Sequence, residues 1–481
     1  MKGRPYQGTP ARELARILAP PALVCGVLLA PHIAQATSMV PAAQIRPCRR
    51  AQGSGPDAPT GVTTIGQVYA CLLAHYPAGR SLDSRVLLRG AMAALVADLV
   101  QHGWDQSVAV LPALEGNPDD DWRAFERAYE AIAARLPHGA SAQESVAQAT
   151  IAGLVESLHD DHTRYAPPLP GGGKGGGAPA AAAGPGDFGR GLRLSADTSL
   201  PARTTPPLFV LEVEPGSPAA RAGLRPGDVV TAIGGLPPFV AGLADQAVLA
   251  QLDGPGPVRL AVQRPASGRN RTVVLSPAPY PSPQPVTARV LPGRVAYVRL
   301  ASFVDNAANF VLAAVDGLGP RPHLRGLVLD LRGNGGGSAA EPARLLGAFA
   351  HNRIFAYSED GHSQRTAART DATMPLLSVP LAVLIDRGCA SACDVMAAAI
   401  HDLHLGRLIG ERTAGDAAGP AYPWFLDDGG VLEIPAAFMR GANGEIVDGI
   451  GVPPDEPVPA TPAALSAGHD PALGRALRDL K

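Results

Sequence analysis

Lysine is almost absent from this 481-residue sequence, occurring only at Lys2, Lys174 and Lys481. Chemistry that needs an amine base between residues 175 and 480 therefore has no residue to supply it. Charge of one sign is lacking too: 41 Lys and Arg stand against 43 Asp and Glu, a formal net charge of −2. That balance gives no electrostatic reason for nucleic acid to be a partner. The apolar run from Ile17 to Ala30 is shorter than the about 20 residues a helix needs to span a bilayer. Cysteine is sparse, at positions 25, 48, 71, 389 and 393. What is present is ample apolar material, 46% hydrophobic against 17% charged, which excludes wholesale disorder. The length suggests about three domains.

Lys2, Arg4, Arg12 and Arg16 precede the apolar run, and Ala34-Gln35-Ala36 follows it as a small-x-small cleavage site. This reads as a secretory signal over residues 1–36, with an uncleaved anchor as the alternative and membrane association only in that case. An exported chain, periplasmic or extracellular, is permitted disulfides. Cys48 and Cys71 are then a candidate pair. Residues 58–166 carry apolar residues at helical spacing, as in Val86, Leu87, Ala91, Leu95 and Leu99, and read as a helical region. It ends in His159-Asp160-Asp161-His162-Thr163-Arg164-Tyr165. Residues 167–186 are Pro, Gly and Ala with a single leucine and a single lysine, a linker without the order of a phosphate loop. Residues 187–278 alternate short β-runs and turns, with a strand expected at Leu208–Leu211. From residue 288 to 481 strands and helices alternate, an α/β pattern.

The chemistry gathers around Leu381-Ala382-Val383-Leu384-Ile385, an apolar run read as a strand buried on both faces. A turn, Asp386-Arg387-Gly388, leads to Ser391 and an Ala-rich helix. A serine at such a turn exposes its hydroxyl, and the helix N–H groups behind it favour a developing oxyanion. An ordinary helix N-cap is the plain alternative. A second loop, Gly335-Gly336-Gly337, follows the strand Gly326–Leu331 and opens another helix. It could bind phosphate or donate to an oxyanion; beside a nucleophile turn, the oxyanion reading is the better one. Cys389 and Cys393 with His401 and His404 have spacings unlike a structural zinc finger, so no metal is expected. Buried packing or a local disulfide accounts for the two cysteines, and helix-end capping for the histidines.

Two strings carry a resemblance. EVEPGSPAARAGLRPGDVVTAIGG closely resembles PDZ domains. That resemblance makes Gly189, Arg190, Gly191 and Leu192 the loop that captures a peptide C-terminus, with the peptide adding as a strand. The order LHDDHTRY, PDZ domain, LVLDLRGNGGG, VLIDRGCASACDVMAAA, LIGERTAGDAAG and VDGIGVPPD resembles the tail-specific, or C-terminal processing, serine peptidases and their tricorn-core relatives. It implies a multidomain α/β protein with a helical N-terminal region and a crotonase-like catalytic domain. The activity implied is that of an exported endopeptidase acting on unfolded or C-terminally recognised proteins, without a cofactor. Ser391 is the implied nucleophile, with Gly336 and Ala392 as the oxyanion hole. One branch of that family activates serine with a lysine in a GExTxGKG motif; this chain has Asp416 at that place. The tricorn-like branch uses a histidine and a distant acid, matched here by His162 and Asp448, with His159 the runner-up base. An imidazole suits neutral pH, and a carboxylate suits its second nitrogen. Asp161 stands where those relatives have a serine. On this reading Asp416 has no part in catalysis, and Asp416→Asn keeps activity. Asp330 and Arg332 are expected to organise the glycine loop, Asp455 is expected to be structural, and Glu411 has no assigned role. Rival readings are a catalytically inactive PDZ scaffold of the same family and an acyl-CoA enzyme on a similar fold. The retained Ser391, glycine loop and Asp448 argue against the first, and the PDZ domain and serine turn against the second.

Overall fold

Four helices begin the described chain: α1 Val62–His75, α2 Ser84–His102, α3 Pro118–Ala133 and α4 Ala140–Glu156. Their starts follow from local chemistry. The Asp83 carboxylate accepts the Arg85 N–H at 2.9 Å, and Asn117 accepts from Asp119 and Asp120 ahead of Pro118. These contacts satisfy donors that a helix start leaves open. α2 and α4 pack backbone to backbone: a Cβ on Gly90 would lie 2.5 Å from the Gly153 carbonyl oxygen. The computed structural model describes residues 48–49, 59–77, 82–137, 139–160, 162–168, 187–195, 204–320, 323–361, 363–419 and 421–480. The expected signal at 1–36, most of the expected linker, and Asp161 lie outside the described residues. Among the described residues no helix is long and apolar enough to cross a membrane.

A short strand, β1 Arg164–Ala166, leaves the helical region. The β-rich domain follows as β2 Asp187–Gly189, β3 Leu192–Leu194, β4 Val210–Val213, α5 Pro218–Arg221, β5 Val229–Ile233, β6 Phe239–Val240, β7 Leu243–Ala244, α6 Gln246–Leu249, β8 Val258–Arg264, β9 Arg269–Leu275 and β10 Ala278–Tyr280. β5, β8 and β9 form an antiparallel sheet, β3 pairs with β4, and β2 with β10. Leu208, Val230, Ile233, Leu260 and Leu275 fill its core.

The remaining elements are β11 Val286–Leu291, β12 Val295–Leu300, α7 Ala307–Gly317, β13 Gly326–Asp330, α8 Glu341–Gly347, β14 Ile354–Glu359, β15 Arg365–Arg369, β16 Leu381–Ile385, α9 Ala392–Asp402, β17 Arg407–Gly410, β18 Ala421–Phe425, β19 Val431–Pro435, β20 Phe438–Gly441, β21 Glu456–Pro457, α10 Pro462–Ser466 and α11 Pro471–Asp479. A six-stranded sheet runs β11-β12-β13-β16-β17-β21, antiparallel only at its β11 edge. Every residue of β13 and β16 is buried, as central parallel strands covered on both faces require. Their register pairs Asp330 with Leu384, so the loops that follow leave the sheet side by side. The crevice beyond the carboxyl ends of parallel strands is where open α/β sheets place their ligands.

The helical region shares its core with the far end of the chain. Leu72, Leu95, Phe125 and Ile151 pack in one buried cluster with Trp424, Leu426, Leu432 and Ile434 of the β18–β19 hairpin. β1 extends that hairpin, Tyr165 opposite Leu432. This docking carries the segment just before β1 to the edge of the α/β domain. A disulfide, Cys48–Cys71, with Cα atoms 5.8 Å apart, ties the residues ahead of α1 onto it.

Candidate active site

Ser391 sits at the turn between β16 and α9 with φ 58° and ψ −118°. A β-carbon at positive φ is strained, and such strain is held only where neighbours over-determine it. Several neighbours do so. The Ser391 N–H donates to Asp394 Oδ2 at 3.0 Å, the Cys393 N–H to Ala390 O at 3.0 Å, and the Ala390 N–H to Asn334 O at 3.0 Å. Cys389 and Cys393 are fully buried and joined in a disulfide that spans the serine, Cα atoms 5.2 Å apart. Both sulfurs are thereby spent. His401 sits at the end of α9 beside Asp402, 3.3 Å away.

The glycine loop after β13 meets this turn from the adjacent strand. A Cβ built on Gly336 would lie 2.7 Å from Ser391 Cβ and 3.0 Å from Ala392 N, and Gly336 has φ 95°. Only glycine permits that approach. The Gly336 N–H donates to Asn334 Oδ1 at 2.9 Å, so this expected oxyanion donor is engaged; the Ala392 N–H has no acceptor among the described residues. Gly336→Ala is expected to lower kcat/KM by about 10²–10³-fold, read by steady-state cleavage alongside a thermal melt that stays cooperative. A variant as active as wild type would separate the loop from the chemistry.

His162 lies just before β1. Its N–H donates to Asp160 Oδ1 at 2.6 Å, and Thr163 gives Asp160 both its N–H, 2.9 Å, and its hydroxyl, 2.6 Å. That Asx-type turn sets where the imidazole points. His162 Nδ1 lies 2.8 Å from Asp416 Oδ1. Burial pushes the imidazole pKa down, but the hydrogen bond and charge of Asp416, with Asp160 and Asp448 beyond, outweigh it and raise the pKa above its ordinary value. Asp448 Oδ1 accepts the Ala417 N–H at 3.0 Å, and burial pushes its carboxyl up. Donor atoms of His162, Asp416 and Asp448 all fall within 4.8 Å of one another. Cys48, Cys71 and His75 form another such group, in which both sulfurs are committed to the disulfide. His159 closes the end of α4, its N–H donating to Glu156 O at 3.1 Å, and forms no side-chain hydrogen bond or ion pair among the described residues.

Sequence reasoning passed over two carboxylates. Asp394, fully buried, accepts N–H groups from Ser391, Gly415 and Asp416. It therefore joins the serine turn to the loop that bears Asp416. Asp386 accepts from Gly333 at 2.8 Å and Gly388 at 2.9 Å, and takes the Arg193 guanidinium of β3 at 2.6 Å. It ties the glycine loop and the serine turn to the β-rich domain. The sequence signal for both was an acid within a few residues of the nucleophile turn. Asp330 is buried and holds Arg332, 2.6 Å, and the Tyr297 hydroxyl, 2.7 Å; Arg332 also reaches Asp470 at the start of α11. Asp455 accepts the Leu408 N–H at 2.8 Å and Glu411 the Ala460 N–H at 3.1 Å. In the β-rich domain Gly191 has φ 63°, and Arg190 donates to the carbonyls of Leu252, Gly254 and Gly256. Gly189 to Leu194, Leu252 and Asp253 line a cavity of 420 Å³.

Two segments of the chain match known domain families. Residues 294–458 match peptidase family S41 and residues 209–264 match the PDZ domain. Carboxyl-terminal-processing peptidase 2 of Arabidopsis thaliana is 32% identical over 262 residues, which is 52% of this chain and 50% of the relative. The C-terminal processing peptidase of Tetradesmus obliquus is 30% identical over 261 residues, 52% and 56% of the two chains. The chain thus spans about half the length of the curated relatives it matches. A solved photosystem II D1 C-terminal processing protease shares the fold at a TM-score of 0.51 and 24% identity, over 83% of this chain and 97% of that one. Fold and matches describe a mixed α/β chain in which one segment matches the PDZ domain and another matches peptidase family S41. More narrowly, residues 294–458 match peptidase family S41, and the two relatives above are both carboxyl-terminal processing peptidases.

Proposed function

We propose that this protein is an exported serine endopeptidase that cleaves unfolded or C-terminally recognised proteins through an acyl-enzyme on Ser391, with His162 as general base. One observation carries the proposal: a hydrogen-bonded path runs from the Ser391 N–H through Asp394 to the Asp416 N–H, and from Asp416 Oδ1 to His162 Nδ1. A histidine from residue 162 and a serine from residue 391 are thus fixed by one small polar network. Because Nδ1 is engaged, Nε2 is the nitrogen that takes the Ser391 proton as Oγ attacks the scissile carbonyl carbon. The tetrahedral oxyanion is held by the Ala392 N–H, joined by Gly336 once Asn334 yields. The C–N bond breaks as His162 returns its proton to the leaving amine, and water then hydrolyses the ester by the same relay. Asp416 and Asp448, with Asp160, supply the negative charge that an imidazolium needs.

The PDZ domain binds the substrate end at Gly189, Arg190, Gly191 and Leu192. Strand β3, next to that loop, holds Asp386 through Arg193, so the bound peptide lies one salt bridge from the serine turn. Two disulfides fit an oxidising, extracytoplasmic compartment, and a crotonase-like sheet is part of the same proposal. The test is a full-length preparation treated with casein and with a fluorophosphonate probe. Cleavage together with a label mapped to Ser391 is the expected result. A protein that neither cleaves casein nor takes the label, with or without a C-terminal peptide for the PDZ domain, is the inactive scaffold instead.

A further inference from the structure

We infer that Asp416 is the carboxylate that orients His162 and carries its charge, and that Asp448 serves the loop rather than the imidazole. The inference deepens the Ser391–His162 reading and rests on it. The two acids stand at different kinds of contact. Asp416 Oδ1 is 2.8 Å from His162 Nδ1. Asp448 spends Oδ1 on the Ala417 N–H and acts on the imidazole through charge alone. Asp416 is itself positioned: its N–H donates to the buried Asp394, as do those of Gly415 and Ser391. The carboxylate that meets His162 is therefore indexed to the nucleophile, whereas Asp448 lies on a separate segment, between Val447 and the Gly449 N–H that donates to Gly415 O at 2.6 Å.

The chemical sense lies in the residue type. Asp416 is an acid, in a chain with no lysine between residues 175 and 480. An acid there cannot remove the serine proton at neutral pH, but it can accept a hydrogen bond from a base delivered by another element. β1, paired with β19, delivers that base. Asp416 is in this way a positioning residue and not a proton acceptor. Nδ1–H to Asp416 fixes the tautomer that leaves Nε2 free. The groups facing His162 are Asp416 and Asp448 from the two C-terminal loops and Asp160 from its own turn; Tyr76 of α1 adjoins Asp160 and Asp448. The tyrosine is held neutral by burial, so it adds no charge.

The experiment compares kcat, KM and the pH dependence of kcat/KM for full-length wild type, Asp416→Asn, Asp416→Glu and Asp448→Asn on one unfolded substrate. In wild type the acid limb, set by His162, lies above that of an ordinary histidine, because loss of the proton from a raised pKa needs higher pH. Asp416→Asn lowers kcat by about 10³-fold with KM nearly unchanged, since an asparagine amide can donate to Nδ1 and favour the wrong tautomer, and its residual acid limb moves to lower pH. Asp416→Glu recovers part of the rate. Asp448→Asn loses about 10-fold or less and moves the acid limb down by less than Asp416→Asn does, since it removes charge but no hydrogen bond to the imidazole. The inference is overturned if Asp416→Asn keeps the wild-type rate and limb, or if Asp448→Asn shows the larger loss and the larger shift of the limb. Adding His162→Ala distinguishes the two levels. A fully active His162→Ala removes the serine–histidine reading and this inference with it, whereas an inactive His162→Ala beside an unaffected Asp416→Asn removes this inference alone.

Discussion

Ser391→Ala and His162→Ala each lower kcat for an unfolded substrate by roughly 10⁶-fold, and the double variant is no slower than either single one. The reason is that the two side chains act in one proton transfer. Without the imidazole the serine hydroxyl is a weak nucleophile; without the serine the imidazole has nothing to activate. What survives is the slower chemistry of a bound peptide beside the Ala392 N–H and its neighbours. Alanine at 162 also leaves Asp416, Asp448 and Asp160 facing one another without the group whose charge they share. His162→Gln separates that effect: its amide can still donate to Asp416 but cannot accept a proton at neutral pH. Equal loss in the alanine and glutamine variants, with cooperative melts, assigns the loss to the base. Losses that multiply in the double variant would mean that the two residues work separately, and the relay would fall.

Much of this arrangement is visible in the chain itself, because the elements that carry it have strong local signals. β13 and β16 are short apolar runs ended by turn residues, and both are buried throughout. α9 follows a serine with an Ala-rich stretch and runs Ala392–Asp402. The strand expected at Leu208–Leu211 overlaps β4 at Val210–Val213, and the residues ahead of it are paired as well: Phe209 bridges to Val229, and the Leu208 carbonyl accepts the Val230 N–H at 2.8 Å. The partner of His162, by contrast, was hidden. Asp416 is 254 positions away, and its contact depends on β1 joining β19 and on Asp394 holding the intervening loop, none of which leaves a periodic trace. Likewise, the glycine count of the loop after β13 shows that backbone must come close to something. It does not show that Asn334 already occupies the Gly336 N–H.

Asp394→Ala is expected to cost about 10⁴-fold in kcat/KM and several kcal/mol of stability. The carboxylate is fully buried and receives three backbone N–H groups, each at 3.0 Å, one from the serine turn and two from the Asp416 loop. Hydrogen bonds to a charged group are worth about 1.5–3 kcal/mol each, and the stranded donors add a desolvation cost. Both ends of the relay lose their reference point at once. A misplacement of about 1 Å costs on the order of 10²-fold, and two such errors multiply. Burial pushes the Asp394 carboxyl up to about 6, against the pull of its hydrogen bonds to Thr413, Gly415 and Asp416. A folded pKa above the unfolded one means that the folded state binds the proton more tightly, so this contribution to stability is fully present below the ordinary carboxyl pKa of 3.8 and is lost as pH rises through about 6. The ionised form that holds the site at neutral pH is therefore the less stable one, a local cost retained at the position where Ser391 is also strained. Asp394→Asn has no such titration. Urea unfolding should show wild type gaining stability relative to Asp394→Asn on going from pH 7.5 to pH 4.5, because the protonated wild-type carboxyl regains what ionisation takes away. A relative stability that is constant across that range, or that moves against wild type as pH falls, would show that Asp394 does not have a raised pKa, and its place between the two loops would have to be drawn again.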